Sequence, residues 1–140
     1  MTVIFLPEKQ KQMKTINIGI LGFGIVGSGV AKLLLEKQHL LEARTGARLH
    51  LKTIADIDTT TDRGIDLGST ALVPDAHIVL DDPDIHLVVE TIGGETIARD
   101  FILKALGAKK HVITANKALL AAHGNELVCL ARHHQDRKSV

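Results

Sequence analysis

Ile16-Asn17-Ile18-Gly19-Ile20-Leu21-Gly22-Phe23-Gly24-Ile25-Val26-Gly27 is the stretch that decides the fold. Its first half is short, β-branched and apolar, as a strand buried on both faces of a sheet would be. Its second half is a G-x-G-x-x-G turn. Beyond it Val26, Val30, Leu33, Leu34 and Leu41 recur with helical period to about Arg44, and Gly46 is placed to stop the helix. Strand, glycine turn and helix therefore follow one another without a gap.

The rest of the chain repeats this alternation. Residues 49–55 read as a second strand ending at Asp56, 85–91 as another stopped by Gly93-Gly94, and 111–114 as a last short one. Residues 59–82 are turn-rich, and within them 77–80 read as a further short strand. Residues 96–106 read as a helix burying Ala98, Phe101, Ile102 and Ala105, with Gly107 beyond its end. Two more helical stretches, 116–122 and 126–134, read as separated by His123-Gly124. Strands alternating with helices give βαβ units with right-handed crossovers. The fold class expected is α/β, a Rossmann-type doubly wound parallel sheet with helices on both faces. Residues 1–14 read as an N-terminal extension, 15–134 as the domain and 135–140 as a tail.

Composition narrows the function classes. The chain has 140 residues with 17 Lys+Arg against 16 Asp+Glu, a net charge of +1, 45% hydrophobic residues and 2% aromatic. A chain of this length buries roughly 68–70% of its unfolded surface, enough for one core. Near-neutral charge and the lack of Trp and Tyr argue against a nucleic-acid partner, which needs basic patches and stacking rings. The longest uncharged run, residues 15–31, is shorter than the roughly 18 residues of a membrane span and carries five glycines, so no membrane partner is expected. Cys129, the single cysteine, has no internal disulfide partner and reads as helix packing; a reducing cytoplasm is the expected compartment. The eight histidines form no HExxH or tight Cys/His cluster, and no metal site is assigned.

The glycine turn carries the chemistry. Gly22 permits the tight turn, Gly24 lets the backbone approach a pyrophosphate, and Gly27 lets helix and strand pack closely. Phe23, Ile25 and Val26 complete the loop. Amides at the helix start and the helix dipole hold an anion without a lysine, and no Lys-Ser/Thr follows Gly27 as a triphosphate P-loop needs. Asp56 is a candidate acceptor for adenosine ribose hydroxyls, although it lies 29 residues past Gly27 where about 20 is usual; equally it reads as the start of a turn with Asp58. An acid there favours NAD, whereas Arg63 in the following loop could admit NADP.

Two further loops leave strand carboxyl ends, where open parallel sheets bind ligands. In Thr91-Ile92-Gly93-Gly94 the backbone and a hydroxyl can reach the middle of a dinucleotide. Thr114-Ala115-Asn116-Lys117 starts a helix that Asn116 or Thr114 can cap. Lysine is disfavoured by the dipole at a helix start, and Lys117 beside a nicotinamide could stabilise a developing alkoxide or exchange a proton with it.

At these residues the resemblance becomes specific. The run from Ile18 through Gly22-Phe23-Gly24-Ile25-Val26-Gly27 to Val30, then Glu90-Thr91-Ile92-Gly93-Gly94, then His111-Val112-Ile113-Thr114-Ala115-Asn116-Lys117-Ala118-Leu119-Leu120-Ala121 with His123-Gly124 resembles homoserine dehydrogenase. The likeness spans about residues 14–132 and covers only the amino-terminal coenzyme half of that family. Lys109 stands where the family usually has glycine, and residues 135–140 do not continue its expected run, as a truncation or an altered reading frame would leave them.

The resemblance implies NAD(P)H-dependent interconversion of aspartate semialdehyde and homoserine, on the route to threonine, methionine and isoleucine. It places the pyrophosphate on residues 22–27, the coenzyme against Thr91, Ile92 and Gly93, and Lys117 at the nicotinamide and the reacting oxygen. Substrate-gripping groups belong to the family's carboxyl-terminal region, so the chain alone is expected to be inactive: a hydride donor without a positioned acceptor forgoes the roughly 7–11 kcal/mol that orientation supplies. The rival readings are a non-catalytic NAD(P)-binding or dimerising module and the coenzyme half of another semialdehyde or imine reductase. A homo-oligomer is expected, formed through an apolar surface left uncovered.

Overall fold

The computed structural model describes residues 13–138. Five parallel strands form one sheet in the order β3-β2-β1-β4-β5. They are β1 (Lys14–Leu21), β2 (Ala47–Ala55), β3 (Ala71–Val73), β4 (Leu87–Glu90) and β5 (His111–Thr114). The helices are α1 (Ile25–Glu36), α2 (Gln38–Thr45), α3 (Ala76–Leu80), α4 (Thr96–Gly107) and α5 (Lys117–Lys138). The expected α/β sheet of Rossmann type is the observed one. Most of the 1–14 extension lies outside the described residues, and β1 already includes Lys14. Of the 135–140 tail, the helix α5 takes in Lys138 and the last two residues lie outside the described ones.

The chain runs outward from β1 to β2 and β3, then returns to the other side of β1 for β4 and β5. The reversal opens a crevice at the carboxyl ends of β1 and β4, which pair in register from Ile18 opposite Leu87 to Leu21 opposite Glu90. Central position makes β1 apolar on both faces. Ile18 and Ile20 pack with Ala31 and Leu34 of α1 and with Leu51 and Ile54 of β2. Leu21 packs on the opposite face with Val79, Leu80 and Ala105 from α3 and α4. Ala98, Ile102 and Leu106 of α4 meet Leu119 and Leu127 of α5 in a third cluster.

Several elements differ from the reading of the sequence, each for a local reason. The run His77 to Leu80 folds as helix α3, because the Asp75 carboxylate caps it by accepting from the His77 amide at 2.9 Å. A four-residue apolar run carries no period of its own. The stretch to Arg44 is two helices, with Lys37 (φ −110°, ψ 26°) between them, and Gly46 in the left-handed region (φ 70°) ends the second. The three-residue β3 is hidden in the turn-rich segment; it pairs with residues 53–55 of β2. The fourth strand is shorter than residues 85–91, although Ile85 is buried beside it.

His123-Gly124 does not divide α5. A lone glycine costs only about 1 kcal/mol in a helix, and Leu119 and Leu127, eight residues apart on one face, both bury against α4. Cys129 is exposed, not packed, since two residues from Leu127 turn it about 200° round the helix. Leu33 is exposed as well, while Leu34 faces the sheet; Phe101 is only half-buried, against the edge of His77.

Lys109 is the described non-glycine residue with positive φ, at 62°. It follows α4 in a Schellman closure, its amide donating to the Leu106 carbonyl at 2.9 Å and that of Lys110 to Ala105 at 3.0 Å, a position that glycine fills at no steric cost. Lys109→Gly is expected to raise stability by about 0.5–1 kcal/mol, the left-handed penalty less glycine's extra entropy. Urea unfolding of the two proteins measures it.

Candidate coenzyme site at the carboxyl edge of the sheet

The glycine loop joins β1 to α1 across the crevice. Gly22 has φ 97°, and its amide donates to the Ala55 carbonyl at 2.8 Å, which ties the loop to the end of β2. A Cβ on Gly27 would collide with the Gly22 carbonyl oxygen and lie 2.8 Å from the Thr91 hydroxyl oxygen. Helix α1 thus approaches β1 closely only because position 27 carries no side chain. Gly24 differs: at φ −79° a Cβ there meets no protein atom within 4 Å. Nothing in the fold demands glycine at that position, whereas a pyrophosphate lying on the backbone would.

Gly24 is also the N-cap of α1, with no side chain capping the helix. The first amide of this turn to find a backbone partner is Ser28, which donates to the Gly24 carbonyl at 2.9 Å. No acceptor among the described residues meets the amides of Gly24, Ile25 and Val26, and the Ile25 side chain is 96% exposed. Uncapped amides at the positive end of a helix form an anion site. Phe23 is turned the other way. Its ring is buried under the Arg63 guanidinium, 4.5 Å from the centroid, and its amide donates to Asp56 at 2.6 Å, so it offers neither group to a ligand.

Asp56 takes the turn role and also ties down the glycine loop. One carboxylate oxygen accepts from Phe23; the other accepts from the Asp58 amide at 2.7 Å, forming the turn. Arg63 is held by three carbonyls, donating to Phe23 at 2.9 Å and to Thr61 and Asp58 at 2.8 Å each. The Thr61 hydroxyl, with the Thr61 and Thr60 amides, holds the Asp58 carboxyl well below the usual range. The 57–63 loop is therefore folded down onto the glycine loop.

Across the crevice the Thr91 hydroxyl lies 3.0 Å from the carbonyls of both Leu21 and Gly22, to which it can donate. Gly22, Gly24, Asp56, Thr91 and Ile92 line one cleft of about 620 Å³, together with Ile57, Ile97 and Phe101. Its apolar walls and few polar groups fit a flat heterocycle and its sugar. Gly93 (φ 83°) and Gly94 (φ 76°) carry the loop on toward β5. Lys117 begins α5 at the same edge of the sheet, exposed and with no ion pair among the described residues, outside the cleft wall. Asn116, not Thr114, caps α5, its side-chain oxygen accepting from the Leu119 amide at 3.0 Å. A cleft of about 610 Å³ also opens at the opposite end, near Lys14, His86 and Lys110. There Lys110 is already bound to the Asp82 and Ile85 carbonyls, and burial pushes its pKa down.

The sequence reading missed Glu90. The last residue of β4, it is fully buried and accepts from Ile92, Gly93 and Thr114. An acid closing an apolar strand directly before a Thr-x-Gly-Gly loop was the signal available.

Residues 22–140 match the family model described as homoserine dehydrogenase, NAD binding domain. The chain belongs to this homoserine dehydrogenase NAD-binding family. It is 39% identical over 122 residues to the homoserine dehydrogenase of Bacillus subtilis, covering 87% of this chain and 28% of that protein. It is 40% identical to that of Methylobacillus glycogenes, over 86% of this chain and 29% of the relative. The crystal structure of Staphylococcus aureus homoserine dehydrogenase at pH 8.5 superposes with a TM-score of 0.81 at 36% identity, over 88% of this chain and 31% of that one. The chain thus spans under a third of the length of these homoserine dehydrogenases. No described helix is long and apolar enough to cross a membrane.

The two glycines separate packing from binding. Gly27→Ala is expected to cost about 1–3 kcal/mol, because its new methyl meets backbone that cannot step aside; the loss appears as an earlier urea midpoint with an unchanged slope.

Proposed function

We propose that this chain is the coenzyme-holding part of an enzyme interconverting L-homoserine and L-aspartate 4-semialdehyde, and that by itself it binds the dinucleotide without turning over substrate. The observation that carries the reading is the uncapped start of α1 beside Gly24, whose missing side chain leaves open space. The amides of Gly24, Ile25 and Val26 receive the pyrophosphate, and Gly22 and Gly27 hold those amides in place. Thr91, Ile92 and Gly93 form the wall on the nicotinamide side. The bound coenzyme supplies the hydride donor or acceptor.

Lys117 serves as the cation at the reacting oxygen, where its ammonium steadies the negative charge developing there. The groups holding the substrate's own ammonium and carboxylate are proposed to lie in the length by which the relatives exceed this chain. Asp56, at the cleft wall, meets the adenosine ribose, and Arg63 is too committed to carbonyls to turn toward a 2′-phosphate. NAD(H) is therefore the proposed coenzyme over NADP(H). The cytoplasm is the proposed compartment. Self-association is proposed through β5 and α5, where Ile113 is 54%, Leu120 44% and Val128 48% exposed; a sharp monomer in light scattering at high concentration contradicts it.

Calorimetric titration with NADH and NADPH tests the reading. The chain is expected to bind NADH more tightly, and Gly24→Val to weaken that binding at least roughly tenfold, a hydrogen bond's worth, with its urea midpoint unchanged. Lys117→Ala is expected to leave coenzyme affinity within threefold. Absence of binding to either nucleotide overturns the coenzyme role; homoserine turnover by the chain that vanishes in Lys117→Ala overturns the claim that the chain lacks a complete site.

A further inference from the structure

Glu90 is 0% exposed, yet no lysine, arginine or histidine pairs with it among the described residues. Its carboxylate is held by neutral donors alone. One oxygen accepts from the amides of Ile92 at 2.9 Å and Gly93 at 3.2 Å, and the other from the Thr114 hydroxyl at 2.6 Å. A buried carboxylate is retained only where several donors converge on it. Here the donors come from the 91–94 loop and from the end of β5, at the carboxyl edge of the sheet.

The chain of bonds closes into a ring. With its proton committed to Glu90, the Thr114 hydroxyl turns a lone pair to the Asn116 amide, which donates at 3.0 Å. Asn116 is 8% exposed, caps α5 through its oxygen, and donates its side-chain amide to the Gly94 carbonyl. Gly94 directly follows Gly93, whose amide returns to Glu90. The 91–94 loop and the first turn of α5, 22 residues apart in sequence, are thus one hydrogen-bonded unit. A carboxylate suits the centre of this ring because it accepts on both oxygens, whereas a glutamine in its place would bring a donor to one side.

We propose that Glu90 is a positioning residue: through Thr114 and Asn116 it fixes the start of α5, and with it Lys117, relative to the loop that flanks the coenzyme. This rests on the roles given above to Lys117 and to the 91–94 loop. Where that loop holds the coenzyme, the backbone of the lysine is held in register with it. The residue touches no reacting atom in this scheme.

Amide hydrogen exchange followed by NMR tests it, first without ligand. In Thr114→Val the amides of Ile92 and Gly93 are expected to exchange roughly tenfold faster together with those of Asn116 and Leu119, and Thr114→Ser is expected to restore all four. Faster exchange confined to Asn116 overturns the proposal. Should Thr114→Val fail to fold, Asn116→Ser keeps a helix cap and removes the bond to Gly94. Exchange at Ile92 and Gly93 must then quicken while Leu119 stays protected, and no change at Ile92 and Gly93 is contradictory. With saturating NADH, exchange at Asn116 and Leu119 is expected to slow in the unaltered chain and not in Thr114→Val, which still binds within threefold of it. Slowing that persists in the valine variant overturns the coupling. A chain that binds no NADH refutes the coenzyme reading instead, and the unliganded comparison still decides whether Glu90 joins the two segments.

Discussion

The contact of Gly27 with the carbonyl of Gly22 is the constraint on which the rest depends. It sets how closely α1 approaches the end of β1, and that distance places the first amides of α1 at the mouth of the crevice instead of over the core. The surrounding bonds hold this geometry from three sides. Thr91 lies against the loop from β4, Ala55 accepts from it at the end of β2, and Asp56 takes the Phe23 amide. The end of β2 therefore contributes two groups and the end of β4 one to keeping the loop open, and none occupies the amides of Gly24, Ile25 and Val26. A helix start left without a cap within an otherwise satisfied network is the physical form of an anion site.

Much of this was legible in the sequence, because backbone requirements write themselves into residue types. Glycine at 22 and 27 marks positive φ and close approach, β-branched residues at 16–20 mark a central strand, and Gly46 marks a helix end. Wherever a side-chain hydrogen bond or tertiary packing decides the outcome, the sequence was silent. Asp75 turned an apparent strand into α3, and burial against α4 carried α5 across Gly124. Of the candidate site, Gly22, Gly24, Thr91 and Ile92 line one cleft, whereas Phe23 faces the core. Of the two readings of Asp56, the turn with Asp58 is observed, and its other oxygen takes the Phe23 amide 33 residues away, a contact that no local pattern announces. Glu90 went unread because only the register of β1, β4 and β5 shows what its carboxylate meets.

The edge of the sheet divides into two functional halves. On the β1–β2 side Arg63 spans Phe23, Asp58 and Thr61 and ties the 57–63 loop to the glycine loop. The β4–β5 side is built around one buried acid and ends in an exposed lysine on a helix start, a position that the helix dipole disfavours. A cation kept there against the dipole makes sense when it faces an anion. The relatives extend well beyond this chain, and Lys117 has no ion pair among the described residues.

The account's central claim is that the amides of Gly24, Ile25 and Val26 hold the diphosphate of a nicotinamide dinucleotide. Titrating NADH into the ¹⁵N-labelled chain and following its amide resonances tests this most directly. These three amides are expected to shift first and furthest, followed by those of the 91–94 loop. Resonances that stay fixed at 24–26 while others move near Lys14, His86 and Lys110 at the opposite end of the sheet would contradict it.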